Sequence, residues 1–197
     1  MEARHAVEAQ IRKAWEAGDF AGATTLTLQS YGPEVLGFLS ALYKSHDAAE
    51  EAFALFAERL WHGISRFEWR CSVRTWAYLL ARNAAADLRR GEARHQRARL
   101  HPSDDRIFEV EAKVRTETLW LLRTETRTAF ARLRDELPEE DCALLVLRVD
   151  RELEWRDIAR VLGAPEGGLD RDAARLRKRF QLVKERLRAL GRERGLL

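Results

Sequence analysis

Trp76 and Asn83 stand seven residues apart in Ser72-Val73-Arg74-Thr75-Trp76-Ala77-Tyr78-Leu79-Leu80-Ala81-Arg82-Asn83. On a helix that spacing is two turns, so both side chains share a face. Arg82, Arg89 and Arg90 extend the exposed side of the same helix, and Phe67 and Trp69 lie on a short aromatic loop just before it. Aromatic rings stack on unpaired bases, arginines steer a phosphate backbone, and an asparagine amide reads a base edge. The chemistry of this group is recognition of single-stranded nucleic acid. The alternative is that Trp76 and Tyr78 are core residues of an amphipathic helix.

A second group lies near the C-terminus. Glu154 to Gly163 reads as a short helix with Ile158, Val161 and Leu162 on its buried face and Ala159 where a second helix presses close. Gly163-Ala164-Pro165-Glu166 makes a tight turn, and a long basic helix follows from about Gly167 to Leu190. Its apolar stripe is Leu169, Ala173, Leu176, Phe180, Val183 and Leu187. Helix, short glycine turn and second helix form the helix-turn-helix that sets a recognition helix into the major groove. Arg171, Arg175 and Lys178 fall at i, i+4 and i+7, with Arg179 beside them. Arginine pairs bidentately with guanine edges, and other cations neutralise phosphates. Asp170 and Asp172 suit either a cytosine edge or a capping role. A plain helical hairpin with a charged outer face explains the stripe, but not the turn combined with so basic a helix.

Net charge is only +3, because 35 basic residues face 32 acidic ones. The distribution is uneven. Gly168 to Arg194 carries ten basic and four acidic residues, 10 − 4 = +6, and Arg82 to Arg99 carries six and two, 6 − 2 = +4. Two basic zones in a nearly balanced chain point to a polyanion touched at two places, against the blander reading of two solvated helix faces.

The elements that hold these groups read as all-helical, because Ala, Leu, Arg and Glu dominate and strand signals are nearly absent. A first helix spans about Ala3 to Ala17, and a second follows Gly32-Pro33 with proline in its first turn. A third runs from Ala48 to Trp61 behind an Asp47 cap, and a fourth from Ser72, its cap, to Arg90. Gly91 to Asp105 is polar and basic, with a His-Pro-Ser-Asp-Asp turn, and is the linker candidate. Helix resumes near Ile107, with Leu119, Leu122, Phe130 and Leu133 apolar, and stops at Leu137-Pro138. Glu139 to Val149 follows.

At 197 residues and 46% hydrophobic content the chain can bury cores. Cys71 and Cys142 are far apart and suit neither a disulfide framework nor a zinc site. Glu92-x-x-His95 is the one metal-like pattern, and a di-iron bundle needs two such pairs and two further glutamates. No phosphate loop or nucleophilic triad is present, so no enzyme activity, catalytic residue, metal or cofactor is expected. No apolar run approaches the roughly 20 residues that cross a bilayer, and the N-terminus lacks the apolar core of a secretory signal. A cytoplasmic protein without membrane insertion is expected.

Two stretches resemble a known family. Ser72…Thr75-Trp76…Tyr78…Leu80-Ala81-Arg82-Asn83 is similar to the segment of extracytoplasmic-function sigma factors, in the sigma-70 family, that melts and recognises the −10 promoter element. Leu137-Pro138-Glu139…Leu147-Arg148…Trp155-Arg156-Asp157-Ile158-Ala159…Leu162-Gly163…Pro165-Glu166-Gly167 resembles their fourth region, which binds the −35 element. Together the matches cover roughly residues 20–95 and 125–190. Two positions depart from the pattern. Ala54 stands where the polymerase-binding helix commonly has glutamine, and Gly167-Gly168-Leu169-Asp170-Arg171-Asp172 replaces the usual Gly-Thr-Val-Lys/Arg-Ser-Arg opening.

The resemblance implies two small helical domains: a region 2-like bundle over 1–95 and a region 4-like helix-turn-helix over 125–197, joined by a linker over 96–124. It implies −10 contacts from Phe67, Trp69, Trp76, Arg82, Asn83, Arg89 and Arg90, with Asn83 on a flipped base and the Phe67–Cys71 loop lining its pocket. Contacts to −35 would come from Arg171, Arg175, Lys178 and Arg179. Asp47, Glu50, Glu51 and Phe53 would bind polymerase. The implied partners are the β′ and β subunits of core RNA polymerase, promoter DNA and an anti-sigma factor. The alternatives are a stand-alone helix-turn-helix regulator of duplex DNA and a sigma-like fold that has lost promoter recognition.

Overall fold

A computed structural model describes residues 2–43, 45–91, 105–124 and 133–196. Most of the expected linker, with the Glu92-x-x-His95 pattern, Arg94, Arg97 and Arg99, lies outside these residues, as does Phe130. Among the described residues the chain is helical, with no strand.

Helix α1 (Glu2–Glu16) buries Ile11 and ends at Gly18, whose φ of +75° is the left-handed geometry glycine adopts readily. Asp19 then caps α2 (Phe20–Leu42), accepting a hydrogen bond from the Gly22 N–H at 2.8 Å. α2 is the axis of the fold. It packs against α1, α3 (His46–Gly63), α4 (Val73–Arg89) and α5 (Asp105–Thr124), so it is buried on several sides. The hydroxyls of its buried Thr24 and Thr27 donate to the Phe20 and Ala23 carbonyls of the same helix.

One expectation is corrected here. The second helix does not begin at Gly32-Pro33; it runs straight through them, with Pro33 inside. An interior proline removes a ladder hydrogen bond at a cost of about 3 kcal/mol. The flanking Tyr31, Gly32, Val35 and Leu36 are all buried, and that packing outweighs the local signal. Gly32 has a tertiary use. A Cβ there would stand 2.7 Å from Val114 Cγ1, so the missing side chain lets α5 press onto α2. Ile107 and Val114 bury the inner face of α5.

The third helix starts earlier than its expected cap. Ser45 is the N-cap, without a side-chain bond, and Asp47 sits in the first turn. Ser72 does cap α4, its Oγ accepting from the Thr75 N–H at 3.0 Å. A second acceptor comes from far away: Glu8 of α1 takes the Val73 and Arg74 N–H groups at 2.9 and 3.0 Å, a carboxylate at the positive end of a helix.

The C-terminal part opens at Pro138, which starts α6 (Glu139–Leu145) and continues as a π-helical turn over Val146–Asp150. Then come α7 (Trp155–Val161), a 3₁₀ turn (Glu166–Gly168) and α8 (Leu169–Glu193). Gly163 adopts φ +91° between α7 and α8. Trp155 meets Phe180 edge-on at 5.6 Å and ties the two helices together. The two helical lobes share an apolar interface, so Leu144, Leu147, Ile158 and Val161 belong to the same continuous core as Leu36, Phe38 and Ala77.

Candidate nucleic-acid interface

α4 places its residues by helical phase. Val73, Arg74, Thr75, Ala77, Tyr78, Ala81, Ala84 and Ala85 face inward, which leaves Asn83, Arg89 and Arg90 exposed and Trp76 and Arg82 half-buried. Trp76 and Asn83 do share a side of the helix. Arg90 pairs with Asp87, and Arg89 lies over the Tyr43 ring at 5.6 Å.

The aromatic loop is packed against itself. Phe67, only 6% exposed, stacks on Trp76 with centroids 4.6 Å apart. Trp69 meets Phe67 at 5.0 Å and Trp15 of α1 at 5.7 Å, with the Arg12 guanidinium over its ring. Trp69 also has φ +55°, uncommon for a bulky residue. Its indole Nε1 is buried without a hydrogen-bond partner, which costs about 1–3 kcal/mol. Phe67 is therefore a wall of the loop in this arrangement, with its face covered by Trp76.

Behind α4 lies a charged network that sequence reasoning missed. Arg74 donates from Nε and Nη2 to Glu34 Oε2 at 2.8 and 2.6 Å, and Tyr78 donates to the same oxygen at 3.0 Å. Arg74 Nη2 also reaches the Arg151 carbonyl of the second lobe at 2.9 Å. Burial pushes the Tyr78 hydroxyl well above the usual tyrosine range, and the Glu34 charge adds to it. Partners this far apart along the chain leave no periodic signal. The one hint was an arginine between Val73 and Thr75 on the apolar side of the helix.

On the helix-turn-helix, Arg171, Arg175 and Lys178 are exposed along α8, as their spacing predicts. Arg175 bonds Asp172 at 3.2 Å, which gives that aspartate a positioning role on its own helix. Arg179 is engaged elsewhere: it donates to Asp141 at 2.6 Å and Glu140 at 2.7 Å, at the start of α6. Arg160 clasps Glu166 through Nε and Nη2 at 2.9 and 3.0 Å, fastening α7 to the turn before α8.

On α3, Asp47 is exposed, and Glu50 and Glu51 are half-buried. Phe53 is fully buried and packs on Phe56 at 5.5 Å, so it shapes the helix from beneath and offers no surface. Among the described residues no cluster of His, Cys, Asp or Glu could hold a metal ion, and no helix is long and apolar enough to cross a membrane.

Residues 27–95, which hold α4, the aromatic loop and α3, match the family model of sigma-70 region 2. That stretch of the chain is a sigma-70 region 2. Its fold is similar to that of the sigma factor RpoE from Bartonella quintana, solved in complex with the anti-sigma factor NepR. Identity is 17%, the match covers 80% of this chain and 94% of that one, and the TM-score is 0.51. No curated protein sequence matches the chain. The likeness to that structure concerns the fold, a pair of helical lobes.

Proposed function

We propose that the chain directs bacterial RNA polymerase to promoters with paired −10 and −35 elements and promotes their melting. The observation that carries this reading is the exposed Asn83 beside Trp76 and Arg82 within a sigma-70 region 2. A regulator that reads duplex DNA alone has no use for an amide and stacked aromatics poised for an unpaired base.

In this reading residues 1–95 form the region 2-like domain, 96–124 the linker and 125–197 the region 4-like domain. The acidic side of α3, with Asp47, Glu50 and Glu51, docks on core polymerase. Asn83 takes a flipped −10 base, and Arg89 and Arg90 hold the backbone of the non-template strand. The strained, unsatisfied Trp69 supports a loop that rearranges when a base enters, because opening relieves a buried orphan N–H. Arg171, Arg175 and Lys178 face the −35 duplex. Melting draws its free energy from capture of flipped bases, without nucleotide hydrolysis. An anti-sigma factor is a fitting partner, since the structurally similar RpoE was solved bound to one. The chemistry needs no cofactor.

Transcription in vitro on random genomic fragments, with core polymerase alone and with this protein added, tests the reading. New start sites sharing two spaced upstream elements are expected. Salt-sensitive duplex binding without new starts would instead favour the stand-alone regulator.

A further inference from the structure

We propose that the cavity enclosed by α4, α6 and the helix-turn-helix binds a small organic anion with an apolar body. Its head group is a carboxylate or a phosphate, held by Arg82. The chemistry is independent of any DNA contact made by α4 and α8.

Two kinds of wall meet across this cavity. Its volume of about 430 Å³ falls within the roughly 300–1,000 Å³ of small-molecule pockets. The apolar side comes from α7, the turn and α8, through Ala159, Leu162, Ala164, Pro165 and Leu176. The polar side carries Arg82 of α4, Arg175 and Arg179 of α8, and the carboxylates Glu140 and Asp172. Three cations against two carboxylates leave the lining one charge positive.

The bonds already made decide which cation stays open. Arg179 donates to Asp141 and Glu140, and Arg175 to Asp172. Glu139, one residue before Glu140, pairs with Arg89, which lies outside the cavity lining. Arg82 differs from all of these. It is half-buried, yet it makes no hydrogen bond or ion pair among the described residues. Burial lowers its pKa from the ordinary arginine value, and the Glu140 charge offsets this only in part. A guanidinium drawn out of water without an acceptor is costly, and a bound anion removes that cost. The apolar side gains by covering the rest of the ligand. A bare inorganic ion uses the guanidinium alone, and a neutral ring uses only the apolar side. The cavity therefore favours a molecule with both parts, and its single excess charge suits one anionic group.

Benzoate and phenyl phosphate, titrated separately into the full-length chain by isothermal calorimetry, test this. Their neutral counterparts benzamide and phenol, and inorganic phosphate, are titrated alongside. Each organic anion is expected to bind at a single site, about tenfold tighter than its neutral counterpart, as a charge-assisted bond provides. Whichever of the two binds more tightly gives the head group. Arg82→Gln should weaken both by about tenfold. Arg188→Gln, which removes the same charge from α8 outside the cavity lining, should change neither. Ala164→Phe fills the apolar side with the cations untouched, and should weaken binding as much as Arg82→Gln does. Inorganic phosphate binding as tightly as phenyl phosphate overturns the inference, since the apolar side then contributes nothing. Equal losses in the Arg82 and Arg188 variants also overturn it, because the anions would then answer to overall basic charge. So does a lack of saturable binding by either organic anion.

Discussion

The Nη2 atom of Arg74 lies 2.9 Å from the Arg151 carbonyl oxygen and 2.6 Å from Glu34 Oε2, so one buried guanidinium joins α2, α4 and the turn that opens the helix-turn-helix. The Arg151 side chain in turn packs on α2, with Nη2 2.6 Å from where a Cβ on Gly37 would stand.

Arg74→Met is therefore expected to destabilise the protein by about 3 kcal/mol, since it leaves the Glu34 carboxylate without its cation. Adding Glu34→Gln should recover part of that loss. Urea denaturation of the two single variants and the double variant measures the coupling.

At Gly32 two effects oppose each other. Alanine in a helix interior gains up to about 1 kcal/mol over glycine, but the new Cβ would meet Val114 Cγ1 at 2.7 Å. Overpacking of this kind costs about 1–3 kcal/mol, so Gly32→Ala should be net destabilising. With Val114→Ala in place the same change should become favourable. Thermal melts of all four proteins give the sign.

Gly163 and Gly167 are both open to solvent on the Cβ side, yet only Gly163 has positive φ, at +91°. Gly163→Ala should cost about 1–2 kcal/mol from backbone geometry alone, while Gly167→Ala should be close to neutral. The first should also weaken duplex binding, because the turn sets the angle of α8. Denaturation and anisotropy titrations on the pair check both statements.

Asn83→Ala should reduce open-complex formation, read by permanganate reactivity of the −10 strand, with affinity for core polymerase unchanged. Arg175→Ala should weaken duplex binding and lower the salt slope by about 1. Full activity of the first variant, or an unaltered slope for the second, removes the assigned role.

Burial pushes both thiols, Cys71 and Cys142, from 9.0 to about 11. At pH 8 each should react with iodoacetamide about a hundredfold more slowly than in the urea-unfolded chain. The folded state holds these protons more tightly than the unfolded one. The contribution is thus fully present below the ordinary thiol value and is lost as pH climbs from about 9 towards 11. A thiol count against pH tests the first point, and melts over that range test the second.

The sequence by itself determined that the chain is helical and which side of α4 and of α8 carries charge. Asn83, Arg89 and Arg90 come out on the exposed side of α4, and Arg171, Arg175 and Lys178 on that of α8, because a 3.6-residue period is a local property. Ser72 as a cap and Gly163 as a turn were legible for the same reason. What only the tertiary structure decided depends on contacts between residues far apart in the chain. Pro33 lies inside a helix because the packing around α2 outweighs a local breaking signal. Phe53 and Phe67 are covered because neighbours from other segments close over them. Glu8 caps a helix 65 residues away, and Glu139 to Asp141 turned out to face the arginines of two other helices. A periodic pattern tells which side of a helix is buried, but it does not say against what. The meeting of α4, α6 and α8 around one cavity was therefore visible only once the lobes were placed together.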